Sequence, residues 1–477
     1  MMQKSIKKNY IYNLCYQILT MIAPLITTPY ISRILGANGI GEVSYTDSIA
    51  SYFVLFATLG ITTYGQREIS YVQDNKKKRT IVFWNTKFLQ FSTSLIALLC
   101  FLLFTLFQKN KILYIIFSLN ILAVFADITW LFQGMEAFGK IVFRNTVFKI
   151  INIIYIFMII KSEHDVWLYA LGICAFTLLS NLSLWFYLPQ YVEKPNFNRL
   201  HPYKELPVVL SLFIPTIAIQ IYTVLDKTMI GAITKNAFEN GYYEQALKIS
   251  RMVLAVVTAL GTVMIPRIGF YFEKNDTEEV RRLMYRGYRF VRFLGIPLCF
   301  GLIMVSSNFV PWFYGNGFDK VEFLIKVLAF LILAIGINNV TGMQYLIPTK
   351  RQNIFTVTVI IGACVNFVMN FILIRFFQSI GAAIASITAE TVIAVIQLII
   401  VRKELNILKI IKEGIHYYIA GVLMALILFF IGQLLTPSII HTLSLAVIGA
   451  TVYFGVLCIL KDEFFISNVE KILQKLK

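Results

Sequence analysis

Apolar runs of roughly 20 residues, separated by short polar breaks, recur along nearly the whole of this 477-residue chain. A helix needs about 20 such residues to cross hydrocarbon, so the pattern predicts about fourteen spanning helices. They fall near 10–32, 41–65, 81–107, 112–134, 142–160, 166–188, 207–231, 244–266, 288–310, 322–346, 354–375, 380–401, 414–435 and 442–460. Little chain is left for a soluble domain. The first run, within "MMQKSIKKNYIYNLCYQILTMIAPLITTPY", is too long for a secretion signal and no small-residue cleavage site follows, so it reads as a retained first helix.

Composition agrees with an all-α integral membrane protein. Hydrophobic residues make up 58% of the chain, charged residues only 14%, and the mean hydropathy is +0.73, values that a soluble core cannot accommodate. A net charge of +18 would suit a nucleic-acid partner, but its placement argues against one. Lys and Arg concentrate in alternate connections, "QDNKKKRT", "RLHPYKE", "EEVRRLMYRGYRFVR", "PTKRQN" and "RKELNILKIIK", and in both tails. Basic loops stay on the cytoplasmic side, so the excess encodes topology: an even number of spans, with both termini in the cytosol. Six cysteines and four histidines are scattered without disulfide or metal-ligand spacing, and neither a metal nor a cofactor is expected.

The openings of the first and seventh spans match. "APLITTPYISRILGANGIGEVSYTDSIA" and "IPTIAIQIYTVLDKTMIGAITKNAFENGYYEQALKIS" each carry a proline (Pro24, Pro215) and then charge (Arg33; Asp226 and Lys227). An aliphatic-glycine pair follows, and a Tyr-bearing helix start comes after it. The match predicts a parallel repeat about an axis along the membrane normal, of the kind that binds substrate between its halves. The expected architecture is two pseudo-symmetric six-helix bundles, residues 1–190 and 207–402, plus two C-terminal helices within 414–460.

Polar residues inside spans usually face protein or water, and here they recur at helical spacing: Asn13, Gln17, Thr20 and Thr27 in the first span; Lys87, Gln90 and Ser94 in the third; Asn145, Lys149 and Asn152 in the fifth; Lys248, Arg251, Thr258 and Thr262 in the eighth. An unpaired cation at the bilayer centre costs about 2.5–17 kcal/mol, depending on the assay or calculation. Three readings account for these cations. Arg33 and Lys248 can snorkel to the interface. Asp127 is a candidate ion-pair partner for Lys87 or Lys149, and Asp226 for Lys248 or Arg251. The third reading is a hydrated cationic vestibule awaiting an anionic substrate; the depth of Lys87 and Lys149 and the i, i+3 pair Lys248 and Arg251 favour it without closing the others. Glu390, in "SITAETVIAV", has no evident local partner and is a candidate protonated acid or coupling site.

"PYISRILGANGIGEVSYTDSIASYFVLFATLGITTYGQREIS", with "LDKTMIG", "NGYYEQALKI" and "VMIPRI" in the second half, resembles the Wzx-type polysaccharide repeat-unit flippases. Their superfamily also holds lipid II flippases and multidrug extruders. The resemblance implies a non-enzymatic transporter in the bacterial cytoplasmic membrane, moving undecaprenyl-pyrophosphate-linked oligosaccharide by alternating access for capsule, O-antigen or exopolysaccharide assembly. The implied partners are that lipid, bulk membrane lipids, and polysaccharide polymerase and assembly proteins. On this reading Arg33, Lys87, Lys149, Lys248 and Arg251 receive pyrophosphate, and Asn13, Gln17, Tyr30, Tyr45 and Tyr222 receive sugar. Asp47, Asp127, Asp226, Lys227 and Glu390 serve coupling or ion pairing. Gly36, Gly39 and Gly41 are expected to form a tight turn beside Arg33. A lipid II flippase and a cation-coupled multidrug extruder are the alternatives from the same superfamily.

Overall fold

In a computed structural model of the protein, residues 6–476 are described; the side chains of 6–15, 17, 18, 214–216, 218, 219, 221, 222, 262, 468, 469, 471–473, 475 and 476 lie outside the described set. Every regular element among the described residues is helical. Among the described residues eleven helices are long and apolar enough to span a membrane, twelve if one pair bent by 40° counts as a single span. Contacts divide the chain into two compact units, Met1–Gly231 and Ala232–Lys477.

The first unit contains α1 (Ile6–Thr58), α2 (Ile61–Tyr71), α3 (Lys76–Leu106), α4 (Lys111–Ala126), α5 (Thr129–Gly134), α6 (Phe138–Ile159), α7 (Val166–Ser183) and α8 (Leu206–Thr234, which runs just past the boundary). α1 holds the first two expected spans. It is two helices fused at Gly36, whose φ of 62° and ψ of 178° lie in a region open essentially to glycine alone. One residue therefore makes the turn that the sequence spreads over three glycines. The second unit contains α9 (Ala237–Thr258), α10 (Gly261–Glu273), α11 (Thr277–Tyr314), α12 (Asp319–Leu328), α13 (Leu331–Asn338), a π-helical stretch (Asn339–Leu346), α14 (Gln352–Phe377), α15 (Ser379–Val401), α16 (Ile407–Lys412), α17 (Ile415–Leu434), α18 (Ile439–Ile459) and α19 (Glu463–Leu476).

In the first unit, Ala50, Phe101, Phe117, Ile121 and Cys174 form one buried cluster, while Phe83, Trp130, Leu131 and Leu184 form another. Close approach needs small residues: a Cβ on Gly65 would lie 2.6 Å from the Trp130 ring. α8, which the repeat assigns to the second bundle, packs within the first unit. Val209 joins Ile61, Tyr64 and Leu89, and Thr228 Oγ1 lies 3.0 Å from Ser48 Oγ and 3.1 Å from Tyr52 OH. In the second unit, Glu239 draws α9, α12 and α15 together. Its carboxylate accepts from Lys320 Nζ at 2.7 and 2.8 Å and from Ser379 Oγ at 2.6 Å. α11 begins well before the span expected at 288, because Asp276 caps it by accepting from Glu279 N at 3.0 Å. The basic connection is therefore helical.

Gly36→Ala is expected to destabilise the protein by about 1–3 kcal/mol, the cost of holding a side chain in that backbone region. Gly455→Ala, where an added Cβ meets nothing within 4 Å, should leave stability unchanged or slightly raised. Thermal unfolding in detergent compares the two; equal midpoints would contradict a glycine-dependent turn.

Candidate functional site

A helix that ends inside a membrane leaves its last carbonyls without intrahelical donors, and hydrocarbon supplies no water to replace them. α4 ends at Ala126, within the span Lys111–Gly134, and side chains from α3 and α7 and from just beyond α7 meet its terminus. Asn181 Nδ2 donates to the Ala123 carbonyl (2.7 Å), Gln90 Nε2 to Val124 (2.8 Å) and Trp185 Nε1 to Ala126 (2.7 Å). Lys87 Nζ donates to the Phe125 and Asp127 carbonyls, both at 2.8 Å, and to Gln90 Oε1 at 3.1 Å. A positive charge at a helix C-terminus also complements the helix dipole.

These contacts settle the role of Lys87 in this structure. An ammonium has three N–H donors, all three are used, and the residue is 0% exposed. Lys87 is a helix-terminating cation and offers nothing to a ligand. Nor does it make the expected direct salt bridge to the Asp127 carboxylate, because it binds the Asp127 backbone carbonyl. The carboxylate instead opens α5, accepting from Thr129 N at 2.8 Å.

The network extends through Arg144, which the sequence reading passed over. Arg144 is buried; it donates to Asn145 Oδ1 at 2.7 and 3.0 Å and to Asn181 Oδ1 at 3.1 Å, joining α6 to α7. Its signal in the sequence is an Arg-Asn pair inside an apolar run, with Asn181 placed similarly in the next. One and two turns beyond Asn145 on the same face come Lys149 and Asn152. Lys149 is half-buried in the middle of the 22-residue α6 and has no hydrogen bond or ion pair among the described residues. The Asn152 Oδ1 atom is buried and likewise accepts nothing.

The other expected residues are more dispersed. Arg33 is exposed three residues before Gly36, Asp47 and Lys227 are half-buried, and Asp226 is buried; all four have interaction partners. Tyr30 spends its hydroxyl on the Ile160 carbonyl at 2.7 Å, tying α1 to the end of α6, and Tyr45 packs against the Ala50 and Phe117 cluster. On α9, Lys248 is half-buried and Arg251 exposed, and both are engaged. Glu390, expected to lack a local partner, is buried and accepts from Asn338 Nδ2 at 2.8 Å; the donor sits 52 positions away, on α13. The side chains of Asn13, Gln17 and Tyr222 lie outside the described residues.

The described fold is that of a multi-helix membrane protein. It is similar to the solved structure "Lipid II flippase MurJ, inward closed conformation", with a TM-score of 0.74 at 16% identity over 94% of this chain and 99% of that one. It is also similar to an inward-facing multidrug resistance MATE family transporter of the MOP superfamily, with a TM-score of 0.60 at 12% identity over 82% and 99%. At such identities the likeness concerns the fold alone. The family profile described as "Polysaccharide biosynthesis protein" matches residues 6–272, and the chain belongs to that family. Among curated proteins it is 23% identical over 414 residues to "Putative O-antigen transporter" of Escherichia coli (strain K12), covering 84% of this chain and 97% of that protein.

Lys87→Met would strip donors from two carbonyls inside the membrane. The expected loss is about 1.5–3 kcal/mol of stability, read as a lower unfolding midpoint and less folded protein in the membrane. A wild-type midpoint in this variant would contradict the structural role.

Proposed function

We propose that the protein is a flippase that moves undecaprenyl-pyrophosphate-linked oligosaccharide repeat units across the bacterial cytoplasmic membrane, by alternating access, for surface polysaccharide assembly. The observation that carries this reading is Lys149: a cation at mid-span, beside an unfilled Asn152 oxygen, with no partner among the described residues. A charge left so in hydrocarbon is costly, and a polyanionic headgroup removes the cost by supplying charge-assisted hydrogen bonds. Pyrophosphate is such a headgroup, and its prenyl tail can remain in lipid. The likeness to "Putative O-antigen transporter", over 84% of this chain, favours a glycan cargo. A lipid II flippase shares the pyrophosphate chemistry, and its fold likeness keeps it as the nearest alternative. A multidrug extruder would hold organic cations with carboxylates, which an amine at this position would repel.

In the proposed site Lys149 is the primary phosphate ligand, and Arg33, at the end of the first limb of α1, is a further cation of the same unit. Both termini lie in the cytosol, and polysaccharide polymerase and assembly proteins receive the product. Lys87 is left out, because its donors are already used.

Deleting the gene should make lipid-linked repeat units accumulate on the cytoplasmic face while surface polymer disappears. Wild-type protein should restore the polymer. Lys149→Met at equal abundance should restore it at least about tenfold less well, and Lys149→Arg should retain much of the activity because it keeps the charge. Full restoration by Lys149→Met would overturn the assignment of this residue; unchanged surface polymer after deletion would overturn the function.

A further inference from the structure

The second unit carries another concentration of charge, outside the proposed transport site. Arg282, Arg286 and Arg289 recur at spacings of four and three along the N-terminal turns of α11, and so share one face. Together with Tyr285, Lys409 near α16's end and Phe464 from α19 they line a cleft of about 490 Å³. Four cations oppose two lining carboxylates, Glu413 and Glu463.

The walls of this cleft are fixed. Asp462, whose side chain is 1% exposed, accepts from Tyr417 OH at 3.0 Å, meets His416 Nε2 at 2.9 Å and lies 3.6 Å from Arg289 Nη2. Its other oxygen accepts from Phe465 N at 2.7 Å and so caps α19. The Phe464 ring packs on Phe293 with centroids 5.3 Å apart, which holds the start of α19 as a wall. Arg289 is thereby committed to structure. The remaining cations are presented outward: Arg282, whose side chain is 74% exposed and pairs with Glu279; Lys409, 51% exposed and 3.7 Å from Glu413; and Arg286, exposed and without a hydrogen bond or ion pair among the described residues.

The position of the cleft identifies its ligand. It lies at the start of the apolar span Ile407–Leu434 and just past the end of the apolar span Ile439–Ile459. Aromatic residues and arginines at span ends suit lipid headgroups. A second cleft of about 480 Å³, lined by Arg281, Arg402 and Lys403, shares Tyr285 with the first and prolongs the cationic rim. A continuous rim fits a layer of headgroups better than one dissolved ion. We propose that this cleft binds the phosphate headgroup of an anionic phospholipid in the adjoining leaflet.

The test uses the full-length protein in phosphatidylcholine nanodiscs with and without phosphatidylglycerol, reading the phosphatidylglycerol retained per protein by native mass spectrometry together with the unfolding midpoint. Wild type should retain phosphatidylglycerol and melt higher in its presence. Replacing Arg282, Arg286 and Lys409 together by Gln should weaken retention roughly a hundredfold, given the attraction of each cation to an anionic surface. Arg286→Gln alone removes no hydrogen bond or ion pair among the described residues and should weaken retention several-fold even if the triple variant folds poorly. Equal retention of phosphatidylcholine, or unchanged retention in Arg286→Gln, would overturn the proposal. Inorganic phosphate displacing the lipid and reproducing the full midpoint shift would overturn it in favour of a soluble anion.

Discussion

Every backbone carbonyl that leaves a helix inside hydrocarbon must find a donor within the protein, and the first unit is organised around meeting that demand at the end of α4. Five consecutive carbonyls, Ala123 to Asp127, receive side-chain hydrogen bonds from Asn181, Gln90, Lys87 and Trp185. The donors come from α3, α7 and the turn after it. Arg144 then fastens α6 to the same network through Asn181. Helix packing in lipid gains little from burying apolar surface, because the solvent is itself apolar. Polar closures of this kind therefore specify which helices are neighbours.

The same constraint sorts the cations. Lys87 and Lys149 look alike in sequence, each lying well inside an apolar run on a polar face. In three dimensions Lys87 has exhausted its donors on carbonyls, whereas Lys149 projects one turn past the network with none used among the described residues. A protein that needed Lys149 only for stability would be expected to give it an acceptor. The unfilled Asn152 oxygen beside it extends the same polar face. Under the proposed function, that face waits for a headgroup.

Much of the fold is legible in the chain, because length and apolarity alone decide whether a helix spans. Among the described residues the two limbs of α1, the ten other apolar helices, α8 and the bent pair α9 and α10 follow the expected order of spans. What escapes a one-dimensional reading depends on contacts far apart in sequence. Glu390 finds Asn338 on another helix, Tyr30 finds the Ile160 carbonyl, and Lys87 finds the end of α4. Helical spacing identifies a polar face, but the same spacing serves a cation that caps a helix and one that meets a ligand. The turn at Gly36 was legible as glycine-rich; its compression into one residue depends on a backbone angle that composition does not report.

The most direct test is the binding of undecaprenyl pyrophosphate to the purified protein. The account predicts saturable binding that weakens at least about tenfold in Lys149→Met while the unfolding midpoint stays at the wild-type value. Equal affinity in wild type and Lys149→Met would contradict it.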